Sequence, residues 1–183
     1  GRGFQPVTYF NGNIDGNNHT ISGLYINRSG SAAILQQLGG DGIVRNLSLE
    51  NISISGGYQS GSIVGALSGA LINVTVSGSV SGSGNTGGLA GHAYSGSTLE
   101  GCITDVNLTS TGGSAGGLIG YCNGATVENC SSSGSVSGTS QVGGLIGKNH
   151  GNISGSFSSA TVSGTGDKIG GLIGNNNSGD ISD

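Results

Sequence analysis

Positive charge is scarce in this sequence. Only five of its 183 residues are Lys or Arg, namely Arg2, Arg28, Arg45, Lys148 and Lys168, and they are scattered. Nucleic-acid binding needs clustered cations that displace counterions from phosphates, so no nucleic-acid partner is expected. Attachment to an anionic membrane surface is unfavourable for the same reason. Long apolar runs are also lacking. None approaches the roughly 18–20 residues of a membrane span, so no membrane insertion is expected. The opening GRGFQPV lacks the basic and then apolar run of a signal peptide, so a leader would have been removed or would lie outside these residues. Proline occurs once, at Pro6, and aromatics make up only 4%. The three cysteines, Cys102, Cys122 and Cys130, are an odd number. They define no closed disulfide framework and leave the compartment open.

Glycine is abundant instead, with 41 residues. Without a period, so much glycine would indicate disorder. Here it is periodic. GGLIG starts at 116, 143 and 170, GGLAG at 87 and GSIVG at 61, with a weaker copy, AAILQ, at 32–36. A second motif travels with the first: VRNLSLENISIS at 44–55, LINVTVSGSVSG at 71–82, LEGCITDVNLTS at 99–110, VENCSSSGSVSG at 127–138 and ISGSFSSATVSG at 153–164. Within each copy, small or apolar residues alternate with polar ones, which is the strand period. A helix is excluded, because each interior glycine costs it roughly 1 kcal/mol relative to alanine.

One such repeat has too little apolar surface to fold alone. The period therefore predicts an all-β parallel β-solenoid of about 27 residues per coil. The preference of parallel crossovers makes it a right-handed β-helix. A propeller blade needs roughly 40–50 residues and fits less well. In the solenoid, Leu89, Leu118, Leu145 and Leu172 form an interior ladder, each burial contributing roughly 1.5–3 kcal/mol. The face taken by Ile119, Ile146 and Ile173 is left open. Residues 1–30 hold four of the eight aromatics and the single proline, and read as an N-terminal capping coil. Residues 31–183 read as solenoid repeats, with GDISD at 179–183 starting a further coil that is cut short. End-to-end self-association through such an open end is expected.

The GGLAG and GGLIG copies resemble the GLUG family, named for its Gly-Leu-apolar-Gly core, and GSIVG is a degenerate copy. FNGNIDGNNHTISGLYI at 10–26 resembles the opening coil that precedes such repeats in bacterial surface proteins. The resemblance implies a segment of a large secreted or cell-wall-attached protein. Adhesins and the non-catalytic regions of immunoglobulin A proteases are of this kind. No HExxH or other catalytic motif of those proteases is present.

Candidate chemistry is sparse. His19, His92 and His150 read as solvated turn histidines, because His92 and His150 occupy different repeat positions. Glu100 and Glu128 are expected as neighbours on the outer face, either a carboxylate pair suited to sugar chemistry or two solvated charges. Asp15-Gly16-Asn17-Asn18 and Gly39-Gly40-Asp41-Gly42 read as turns and not as calcium loops. Cys102 and Cys130 stand one coil apart, as a disulfide or as two small apolar residues; Cys122, in GYCNG, reads as a free thiol in a turn. Asn46, Asn73 and Asn129 share a repeat position that would suit an asparagine ladder. No catalytic, cofactor or metal-ligating residue is assigned. The expected function is a non-enzymatic extracellular structural or adhesive module at the cell surface, with a glycan or host surface as ligand. The alternatives are a carbohydrate-binding or carbohydrate-cleaving β-helix, and ice binding by the outward columns Thr75, Ile103, Ser131, Phe157 and Ser77, Asp105, Ser133, Ser159.

Overall fold

A computed structural model describes all 183 residues. Every secondary-structure element is a strand. Three parallel sheets form, and each coil contributes to all three. A long face of twelve strands includes Ile43–Ser55 and Ala70–Gly82, of 13 residues each. A short face of five strands runs from Gln59–Ser60 to Lys168–Gly170. A motif face of six strands runs from Leu35–Leu38 to Ile173–Asn176. The molecule is thus a parallel β-solenoid of about six coils.

Register follows the sequence repeat. Val64 pairs with Ala90, Ala90 with Ile119, Ile119 with Ile146, and Ile146 with Ile173. On the long face the inward column runs Val44, Leu71, Leu99, Val127, Ile153. Its buried members join one contiguous cluster of 35 residues, so all coils share a single dry interior.

The long face bends at the same position in successive coils. The bend residues form a column, Asn46, Asn73, Gly101, Asn129 and Gly155, all left-handed with φ between 52° and 60°. Asparagine and glycine tolerate that backbone, and a branched side chain does not. This column therefore differs from the expected asparagine ladder. Gly101 interrupts it, and no hydrogen bond joins its asparagines. An Asn–Asn rung forms elsewhere, where buried Asn149 donates through Nδ2 to Asn176 Oδ1 at 2.9 Å.

At the other end of the stack, residues 1–27 lie over the first coil. Val7 and Phe10 bridge to Leu35 and Leu38, and Tyr25–Asn27 pairs with Ile43–Ser55. Arg28 fastens this layer, its Nη2 donating to Gly3 O, Phe4 O and Gln5 Oε1. The layer seals Ile26 completely but leaves Phe4, Tyr9 and Tyr25 between 43% and 55% exposed.

Candidate functional site

The glycine motif shapes the surface as well as the core. Its first, second and fifth glycines take no left-handed φ; what they lack is room. A Cβ on Gly117 or Gly144 would strike the carbonyl oxygen of the next coil's second glycine. A Cβ on Gly91, Gly120 or Gly147 would stand 2.6 Å from the backbone nitrogen of Ser60, Thr86 or Ala115. Only residues without a side chain let the motif face fold so tightly against the short face of the preceding coil. Leu and the following apolar residue both turn inward there. Leu89, Leu118, Leu145, Ile119 and Ile146 are fully buried, while Leu172 and Ile173 in the last coil are half-buried. The leucines are tied in sequence, with the amides of Leu89, Leu118 and Leu145 donating to the carbonyls of Leu118, Leu145 and Leu172.

Outside this tight fold lies a notch of about 280 Å³ between two outward columns. The short face supplies Gln59, Asn85, Ser114 and Gln141. The motif face supplies Ala66, His92, Tyr121 and Lys148. Tyr58 stands at the mouth, 70% exposed. Gln59 reaches across the junction, its Nε2 3.2 Å from His92 Nδ1.

His92 is therefore not a solvated turn residue. It sits within Ala90–Ala93 and is 9% exposed. Its ring stacks on Tyr94, with centroids 4.1 Å apart, and leans on Tyr121 at 4.6 Å. Tyr121 carries the array onward, edge to face with His150 at 5.7 Å and under Lys148 Nζ at 4.7 Å. His150 is half-buried and bonded to Ser178 and Asn177. Burial holds the His92 imidazole below the usual histidine range, so it is neutral at neutral pH. Gln59 Nε2 faces the ring's Nδ1, and the ring's Nε2 is buried with no hydrogen-bond partner.

Composition hides this cluster, because aromatics and cations are sparse over the whole chain. The signal was positional. His92, Tyr121 and Lys148 each follow the last glycine of their motif copy, and Tyr94 and His150 follow two residues later.

The other candidates resolve differently. Glu100 and Glu128 are direct neighbours on the outer long face, and neither lines a recess. Cys102 and Cys130 are stacked and buried as free thiols, the Cys102 amide donating to Cys130 Sγ at 3.4 Å. Their mutual hydrogen bond, then burial, push the Cys102 thiol well above the usual range. Cys122 is not in a turn. It ends the strand Ile119–Cys122, faces inward and is fully buried, in register with Ala93 and Asn149. Asp15 accepts from the Asn17 amide, Asn46 Nδ2 and Arg45 Nε, and these bonds hold its carboxyl below the usual range. Its oxygens are thus engaged by the turn. Asp41 is bonded to Asn11. No three His, Cys, Asp or Glu side chains converge on a common point.

In the two outward columns, Ser133 donates to the Thr104 carbonyl and to Asp105 Oδ1. Ile103, Asp105 and Phe157 interrupt the run of hydroxyls. A second recess of about 390 Å³, near Arg2 and Arg28, is walled by the guanidinium that fastens the N-terminal layer.

Comparison with known proteins agrees with this architecture. A family model, the GLUG motif, matches residues 138–165, which is one coil. Over 67 residues, 36% of the chain, the sequence is 43% identical to Halomucin of Haloquadratum walsbyi. The fold superimposes on a Bacteroides ovatus protein provisionally assigned as an immunoglobulin A1 protease. The TM-score is 0.78 at 26% identity, over 91% of this chain. The matches span 1% of Halomucin's length and 58% of the Bacteroides chain.

Proposed function

We propose that this chain, a solenoid carrying the GLUG motif, is a non-enzymatic structural and adhesive module displayed outside the cell. The observation that carries this reading is the unbroken stack. Like positions meet coil after coil around one interior, which yields a stiff rod of roughly 30 Å at the ~4.8 Å spacing of paired strands. Each coil contacts only its neighbours, so such a rod extends without altering what it already holds. The relatives support the location. One is a mucin by name and the other is provisionally assigned to cleavage of an immunoglobulin, and both descriptions belong outside cells.

Labelling intact cells with antibody raised against the chain tests the location. Signal without permeabilisation is the expected result, and signal only after permeabilisation overturns it. Binding of the purified chain to a panel of surfaces, with no turnover of the bound material, is the expected behaviour of an adhesive module.

The carbohydrate alternative has one specific observation in its favour, the aromatic notch. The paired carboxylates of Glu100 and Glu128 lie on a different face from it. Cleavage by that pair is therefore not proposed.

A further inference from the structure

We propose that the notch between the short face and the motif face binds an acidic oligosaccharide. A sugar ring stacks on Tyr58, and its carboxylates meet Lys148 and the side-chain amides of Asn85 and Gln141. This site stands independently of where the chain is displayed.

Three features point to that ligand. The first is the aromatic surface. The chain has five tyrosines and three phenylalanines, and two of those tyrosines, Tyr58 and Tyr121, line this one notch. Tyr121 is held between His92 and Lys148 and forms a fixed wall, while Tyr58, 70% exposed, offers an open ring face at the mouth. An open aromatic face beside a preformed recess suits the C–H face of a pyranose ring.

The second feature is an excess of donors. Asn85 Oδ1 is occupied by the Ser114 amide, and Gln141 Oε1 by the Ser114 hydroxyl. These bonds fix both amides so that Asn85 Nδ2 and Gln141 Nε2 have no protein partner. Lys148 forms no salt bridge, since the single ion pair in the molecule joins Arg45 and Asp15. No carboxylate lines the notch. A surface of unsatisfied donors calls for a ligand dense in acceptors, and charge-assisted bonds to carboxylates are the stronger kind.

The third feature is the distribution of charge. The chain carries a net charge of −4, yet both lysines stand on the columns that border the notch. Glu100, Asp105 and Glu128 stand on the long face. The notch, like the recess near Arg2 and Arg28, thus carries positive charge and no carboxylate, which favours an anion there. It crosses four coils, from Tyr58 to Lys148, or about 14 Å at the ~4.8 Å strand spacing. That length admits more than one sugar ring. An acidic peptide added as an extra strand is not accommodated along the notch, because its flanking strands other than the end strand Gln59–Ser60 are paired on both sides.

The test uses the intact chain on an array of uronate-containing, sialylated, sulfated and neutral oligosaccharides, followed by calorimetry on the glycans retained. Carboxylated glycans are expected to be held. Their affinity should fall tenfold or more in Tyr58→Ala and Lys148→Gln, and stay unchanged in the long-face control Glu128→Gln. Tyr58 is so exposed that its replacement leaves folding intact, which keeps the test decisive. Four outcomes overturn the proposal: no carboxylated glycan retained, affinity indifferent to the Tyr58 and Lys148 substitutions, neutral glycans held as well as acidic ones, or poly-glutamate bound as tightly at the same residues.

Discussion

Gly144 and Gly171 occupy the same motif position with opposite surroundings. A Cβ on Gly144 would collide with the Gly171 carbonyl and with Ser158, whereas a Cβ on Gly171 meets nothing within 4 Å. Gly144→Ala is therefore expected to destabilise by about 1–3 kcal/mol or more, as overpacking does, and Gly171→Ala to shift stability by less than about 0.5 kcal/mol. Urea unfolding of the two variants checks this; equal effects would show that close approach is not what the glycine provides. A second expectation concerns Cys122, whose thiol burial pushes up to about 11 from 9.0. Between those values the unfolded chain releases the proton and the folded chain keeps it. Stability contributed by this group is full below about pH 9 and declines as pH rises towards 11, by up to ~2–3 kcal/mol. Cys122→Ala, which places in this column the residue already found at Ala93, should remove that decline. Urea midpoints at about pH 8 and pH 10.5 decide it, and parallel losses in both proteins would refute it.

The strands show which parts of the structure are legible in sequence. Inward columns such as Val74, Cys102 and Cys130, or Val80, Leu108 and Val136, were readable, because stacking in a solenoid reduces to counting residues between like positions. The sharp bend was not. VRNLSLENISIS reads as one alternating strand, yet Asn46 turns it through a left-handed residue while it remains within the strand Ile43–Ser55. The notch was illegible for a related reason. It depends on how closely two faces approach, and that distance is set by glycines whose role is the space they leave. Buried hydroxyls fall between these cases. Thr104 and Ser132 keep the inward period but donate at 2.8 Å to the Gly117 and Gly144 carbonyls, so the motif's second glycine is also an acceptor for the long face. For the leucine ladder, Leu118→Ala in the middle of the stack should cost about 2–5 kcal/mol, the usual range for a buried leucine, and half-buried Leu172→Ala distinctly less. Calorimetric melting of both variants measures the difference, and a larger loss at Leu172 would contradict the packing described.

Across the whole molecule, burial fades towards the last coil. Ile169 and Ile181, in the columns of buried Val142 and Ile153, are 40% and 50% exposed, in strands paired on one side only. Appending one further GLUG coil after Asp183 should bury these residues and raise stability by roughly 2–4 kcal/mol. Light scattering of the unextended chain should show concentration-dependent association that the added coil abolishes. An extension that leaves both the unfolding midpoint and the mass unchanged would mean that this face has no affinity for a like neighbour. The pentapeptides at 143–147 and 170–174 are identical, and Ile146 sits directly over Ile173. Duplicating or deleting one whole period therefore returns each side chain to a neighbour of the kind it had before. A lineage carrying such a gene can change its rod's reach by unequal recombination, one rung at a time, with every intermediate still able to fold.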